Sequence, residues 1–202
     1  GTHFDAPSHA IPPSGSGLPH ANEWGDVYGE QVPLHKFQGP VAVIDVRELR
    51  AEPQQPGFSP LITLDYLQAW EAKHGEFQAG DVVALFTGWD EFFVPYPEGS
   101  AFLMDPFQGR SPGWPAPTEE AVIYLNDKGV ETLVSDVPSL GATDDIQSVH
   151  WAGLGRGMVF IECLTNLGQL PPRGAYFQFL PLKIKRSSGC SGRAMAWVPL
   201  ET

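Results

Sequence analysis

The sequence predicts an α/β fold, one domain over residues 1–202 in which helices pack on a mixed sheet. Three observations carry this. Apolar runs of strand length recur along the chain, two capped helical stretches lie between the early ones, and toward the C-terminus only strand-like runs remain. A chain of 202 residues has the size of an ordinary domain and can bury a core without disulfide staples.

The first clear strand is Val41 to Val46, a continuous apolar run with a Gly39-Pro40 turn before it. A helix follows with Thr63 as N-cap, Leu64, Leu67 and Trp70 on one face, and Gly75 as its stop. Val82 to Phe86 reads as a second buried strand. Thr118 caps another helix, with Glu119 and Glu120 in its first turn, Val122 and Leu125 facing inward and Gly129 ending it. Strands are then expected at Val130 to Val134, Met158 to Ile161, Tyr176 to Ile184 and Ala194 to Val198, with a short helix or loop over Ser148 to Leu154. Residues 10–40 and 88–117 read as long loops. Their Trp24, Trp89, Phe92, Phe93, Phe107 and Trp114 suit an aromatic pocket or a covered core equally, and for Trp89 alone core packing is the stronger reading.

Composition excludes several functions. Twelve basic against 24 acidic residues give a net charge of -12, which repels phosphate backbones, and the one basic cluster, Lys183, Lys185 and Arg186, reads as a strand end and its turn. No nucleic-acid partner is expected. No apolar run approaches a membrane span, so no membrane partner is expected either. Cys163 and Cys190 form no CxxC pair, which leaves no thiolate zinc site and is compatible with the cytoplasm. Gly153-Leu154-Gly155-Arg156-Gly157 lacks the strand-first context of a dinucleotide loop, and neither a Walker motif nor G-x-S-x-G occurs.

Chemistry concentrates in Gly1-Thr2-His3-Phe4-Asp5-Ala6-Pro7-Ser8-His9. His3, Asp5 and His9 occupy alternate positions, so an extended chain projects them to one side, and Pro7 favours extension at Ala6. Two imidazoles and a carboxylate suit zinc, manganese or iron. On spacing alone, solvated loop histidines and a turn-forming Asp5 remain the commoner reading. Glu162 ends an apolar strand; it needs a partner if buried, or reaches solvent where the strand stops. His20, His35 and His74 show no ligand spacing, and Asp136 reads as a structural turn residue before Val137-Pro138.

The opening run resembles the signature of the cyclase family, His-x-Gly-Thr-His-x-Asp-x-Pro-x-His, a family that includes bacterial kynurenine formamidases and isatin hydrolases. The likeness continues through Phe86-Thr87-Gly88-Trp89, Ser135-Asp136-Val137-Pro138-Ser139, the stretch from His150 to Asn166-Leu167, and Phe179-Leu180-Pro181-Leu182-Lys183. It implies a swivelling β/β/α-type domain, with His3 and Asp5 as metal ligands, His150 and Glu162 completing one or two divalent ion sites, and His9 as the catalytic proton donor and acceptor. Zinc is the first expectation and manganese the second. The family's first histidine falls two residues before Gly1, so the chain is read as an N-terminally shortened member lacking that ligand and an upstream strand.

The activity implied is hydrolysis of a carbon-nitrogen amide bond in an N-formyl aryl amine, such as N-formylkynurenine, or in a small cyclic amide, by a homodimer or homotetramer. A bound divalent ion lowers the pKa of its water from about 15.7 toward about 7 and polarises the carbonyl, and His9 transfers the protons. Two alternatives stay open: a non-catalytic metal and small-ligand binder on the same scaffold, and a hydrolase of lactones or other rings.

Overall fold

The chain is described from a computed structural model covering residues 1–51 and 55–200. In chain order its elements are β1 (His3–Asp5), β2 (Gln38–Asp45), β3 (Leu61–Ile62), α1 (Leu64–His74), β4 (Val82–Phe86), α2 (Met104–Phe107), β5 (Ala116–Pro117), α3 (Glu119–Asp127), β6 (Thr132–Ser135), α4 (Ile146–Leu154), β7 (Val159–Glu162), β8 (Ala175–Pro181) and β9 (Gly189–Trp197). Short 3-10 turns fill much of the rest.

The α/β class stands, but the sheet is not open. Seven strands close on themselves in the order β1-β7-β6-β4-β2-β8-β9, with β1 pairing to β9 to shut the barrel. β2, β4, β6 and β7 run parallel, while β1, β8 and β9 are antiparallel to their neighbours. The closing pair sets Phe4 opposite Cys190, and no local pattern in the sequence encodes a pairing across so much chain. β3 and β5 form a separate parallel pair.

Alternation along the parallel strands divides the core in two. Val41, Val43, Val82, Ala84, Val134, Val159 and Ile161 fill the barrel with Phe4, Phe37, Phe177 and Phe179. Their neighbours Ala42, Ile44, Val83, Leu85, Leu133 and Phe160 face outward against α1, α3 and α4. Burial on both faces is why these strands read as continuous apolar runs rather than alternating ones.

Both helices form where expected, although Thr63 at the N-terminus of α1 makes no side-chain capping hydrogen bond. In α1, Leu67 and Trp70 are buried, the Trp70 indole donates to the Val43 carbonyl at 3.1 Å, and Gly75 ends the helix at φ 88°. In α3, Thr118 Oγ1 accepts from the Ala121 amide. The strand after it begins at Thr132 rather than Val130, because the Val130 amide still closes the helix end on the Leu125 carbonyl. Among the described residues no helix is long and apolar enough to cross a membrane.

The long loops are tied down. In the first, Asn22 caps a turn and donates to the Gly155 carbonyl, while buried Lys36 donates to Gly157 and pairs with Glu131 at 2.8 Å. The second folds over its own aromatic cluster of Trp89, Phe102 and Trp114 with Val137.

Candidate metal centre

β1 and β7 run antiparallel with His3 directly opposite Glu162. Since Phe4 points into the barrel, His3 and Asp5 on either side of it project outward, as does Glu162 beside inward Ile161. Helix α4 lies along this outer wall. Its N-cap is Asp145, whose carboxylate accepts from the Ser148 amide, and its inward face carries His150 edge-on to Phe160, with ring centroids 5.4 Å apart.

His9 arrives differently from the expected single extended face. Only Ala6 keeps the extended backbone that precedes a proline; Pro7–His9 then turn as a 3-10 helix, for which the fixed proline φ is suited. The turn still brings His9 Nδ1 to 3.5 Å from Asp5 Oδ1.

Two carboxylates stand between two imidazoles. His3 Nε2 lies 3.8 Å from Asp5 Oδ1 and 3.6 Å from Glu162 Oε2, and His150 Nε2 lies 3.8 Å from Asp5 Oδ2 and 3.6 Å from Glu162 Oε1. Each carboxylate thus turns one oxygen to each histidine. The outer nitrogens are held by carbonyls, His150 Nδ1 by Ile146 at 2.7 Å and His3 Nδ1 by Gly1 at 3.0 Å. A carbonyl only accepts, so each Nδ1 carries the proton and each Nε2 offers its lone pair to the site. Glu162 Oε1 also accepts from the Leu140 amide at 2.8 Å.

The electrostatics call for a cation. Burial, followed by the charge of Glu162, pushes the Asp5 carboxyl up to about 8, and His150 offsets this only in part. Burial acts to lower His150, yet Glu162, the Ile146 carbonyl and Asp5 outweigh it and hold the ring above its usual range. A site that draws a proton to a buried carboxylate lacks positive charge. Ligand atoms of His3, Asp5 and Glu162 lie within 4.8 Å of one another, and metal bonds of about 2.0–2.2 Å to such nitrogens and oxygens fit between them. The residues therefore suit a divalent cation. His9 is pressed the other way, below its usual range, by burial and then by the neighbouring His150 and His3 against Glu162.

The site opens into a cavity of about 280 Å³ lined by the five groups with Ala10, Pro138, Ser139, Ile146 and Gln147. On the other side of β1 a second opening of about 420 Å³ reaches Ser188 to Ser191. Gln147, Ser139 and the Leu140 amide were missed in the sequence, where a lone polar residue in a turn or first helical turn carries no signal. None of Trp24, Trp89, Phe92, Phe93, Phe107 or Trp114 lines either opening. Trp89 and Trp114 are instead buried together, each indole donating to a backbone carbonyl.

The other singled-out residues lie elsewhere. Asp136 is fully buried and accepts from the Thr87 amide and hydroxyl and from the Gly88 amide, which joins the ends of β4 and β6. His20 stacks on Trp151 at 4.0 Å, His35 meets Glu131, and His74 packs on Trp70. Burial pushes the Cys163 thiol up to about 11, far from the thiolate range of a nucleophile.

Residues 1–142 match the model of a family described as putative cyclase. Isatin hydrolase of Roseibium aggregatum is 35% identical over 205 residues, covering 98% of this chain and 71% of that protein. A crystal structure of an isatin hydrolase bound to the product analogue thioisatinate superposes with a TM-score of 0.78 at 32% identity, over 99% of this chain and 72% of that one. Isatin hydrolase A from Ralstonia solanacearum follows at 0.76 and 32%, over 98% and 72%. With its signature run on the wall of a barrel that these structures share, the chain belongs to the cyclase family.

Proposed function

We propose that this protein hydrolyses the carbon-nitrogen bond of a small amide at a divalent metal centre held by His3, Asp5, His150 and Glu162. The observation that carries the reading is the pair of buried carboxylates shared between two imidazoles whose Nε2 lone pairs face inward. Zinc and manganese both suit these nitrogen and oxygen donors. The two-sided carboxylates can serve one ion or two.

When bound, a divalent cation supplies Lewis acidity, polarising a carbonyl and acidifying water. The chain supplies the rest. His9 stands at the cavity edge, half-exposed and held below its usual pKa, so it is neutral near pH 7 and free to take a proton from water. It then returns that proton to the leaving nitrogen. The Leu140 amide and the Ile146 carbonyl keep Glu162 and His150 oriented throughout.

Similarity to isatin hydrolases favours a cyclic aryl amide over an N-formyl aryl amine such as N-formylkynurenine. Association into a homo-oligomer belongs to the same proposal, and exposed Leu180, Met195 and Trp197 on β8 and β9 offer an apolar face for it. The test is metal analysis beside hydrolysis assays on isatin and N-formylkynurenine. Metal-dependent ring opening of isatin supports the reading. Tight metal binding with neither substrate turned over removes the substrate class.

A further inference from the structure

Five ionisable groups crowd the metal site, and the remainder of its 280 Å³ cavity is apolar except for two side chains, Ser139 and Gln147. Ser139 is already engaged, since its Oγ accepts from the Gly141 amide at 3.2 Å. Gln147 lies exposed at the rim of the cavity, and among the described residues its carboxamide has no hydrogen-bond or ion-pair partner, so only solvent competes with a ligand for it. It sits on α4 three residues before His150, a spacing that places both side chains on neighbouring positions of one helix face. His150 is fixed by the Ile146 carbonyl and packed on Phe160, so the helix holds Gln147 in a constant relation to the metal ligands.

A carboxamide differs from the other polar groups in this cavity, of which the Ser139 hydroxyl has a single O–H left to donate. The carboxylates only accept, and the imidazoles are committed to carbonyls, to the metal or to proton transfer. Gln147 presents a donor and an acceptor side by side. Its complement is a group with a carbonyl oxygen and an N–H on the same edge. An amide confined in a small ring is cis and has that edge; an open-chain trans amide turns its N–H away from its carbonyl oxygen.

We infer that Gln147 is the specificity-determining residue for the substrate amide, pairing with the N–H and C=O of a ring amide as its carbonyl carbon is presented to the metal site. The inference rests on the amide-hydrolysis reading and narrows it to cis amides bearing an N–H. In the step served, the oxygen of water bonds to the carbonyl carbon and the C–N bond breaks. The leaving nitrogen takes a proton, and the ring opens to an amine and a carboxylate, whose proton passes to solvent. Gln147 holds the substrate edge and exchanges no proton, so its removal acts on discrimination between substrates.

The experiment compares isatin with N-methylisatin, which keeps the ring and carbonyl and lacks the N–H, in the metal-loaded wild type and Gln147→Leu. A site built to bond an N–H rejects the analogue lacking it, and the wild type is expected to prefer isatin by at least about 10-fold in kcat/KM. In Gln147→Leu the preference falls to within about 2-fold, chiefly through a raised KM for isatin, while metal content stays near wild type. An unchanged preference in Gln147→Leu overturns the assignment. Titration calorimetry with the same compounds reads the preference without turnover. Selective binding that Gln147→Leu abolishes, in a protein that hydrolyses neither, keeps the Gln147 contact and rejects the hydrolase reading; equal binding of both compounds by the wild type rejects the contact.

Discussion

The barrel interior and the groove outside it meet on β1, one residue apart. Phe4 points inward, 1% exposed, with Phe37 at 4.9 Å and Phe179 at 6.1 Å. His3 and Asp5, its neighbours, point outward into a cluster of three imidazoles and two carboxylates. Around Phe4 the inner groups are apolar and the burial is favourable. Outside, buried charge is gathered without matching positive charge, and that burial is costly. The difference shows a division of labour along one three-residue strand: the inward residue contributes stability, and the outward ones spend part of it to hold a cation site ready. Breaking either side should affect one property and spare the other.

Loss of a ligand has the largest expected effect. Asp5→Asn or Glu162→Gln should lower metal affinity by more than the roughly 10–100-fold typical of losing an outer hydrogen-bond partner, with activity falling alongside. The metal-free Asp5→Asn protein should melt at or above the wild-type temperature at neutral pH, since folding no longer has to bury a carboxylate or draw a proton onto it. A metal-free variant that melts well below wild type contradicts the account of the groove as a stability cost.

His9→Ala comes next. It should leave metal content near normal while kcat drops by about 10²–10⁴-fold, the usual worth of a positioned acid-base group. Retained kcat removes His9 from proton transfer.

On the inner side, Phe4→Ala should cost about 3–5 kcal/mol of stability by leaving a cavity beside the Phe37 and Phe179 rings. Denaturant unfolding measures this. Metal affinity of the folded fraction should change little, and a loss as large as that of Asp5→Asn would mean that the two faces of β1 are not separable.

A pH series sharpens the contrast. Asp5 in the folded protein titrates at about 8 against 3.8 for the free group, so the metal-free fold binds more protons than the unfolded chain between those values. Its stability is therefore fully present below about pH 4 and declines as pH rises through about 8. His150, also raised, acts in the same direction above its ordinary range. Metal binding displaces these protons and strengthens with pH. Melting temperatures of metal-free protein should fall from pH 5 to 8 while those of loaded protein hold or rise. A flat metal-free profile, or one unchanged in Asp5→Asn, sinks the assignment.

The smallest effect concerns neither region. Thr118→Ala removes the α3 cap and should cost about 1 kcal/mol, with metal binding untouched.

Much of this was legible in the sequence because it is local. Alternation puts His3 and Asp5 on one side of β1, Thr63 and Gly75 bound α1, and Thr118 caps α3. What depends on distant pairing was not. Barrel closure needs the register of Phe4 against Cys190, and the meeting of His150 and Glu162 with β1 needs α4 laid on the outer wall. His9 was placed by alternation, yet a 3-10 turn at Pro7 delivers it. Trp89 and Trp114 lie in a satellite core, the stronger reading for Trp89 on sequence alone; for the loop aromatics as a group, a pocket and a core suit the sequence alike until contacts decide. Gln147 carried no signal, because its significance lies only in what surrounds it.

The most direct measurement is anomalous diffraction from crystals of the protein soaked in a manganese salt. The account predicts a strong peak in the outer groove, flanked by His3, Asp5 and Glu162 and absent from Asp5→Asn crystals. A groove with no peak in the wild type, or one that persists undiminished in Asp5→Asn, contradicts it.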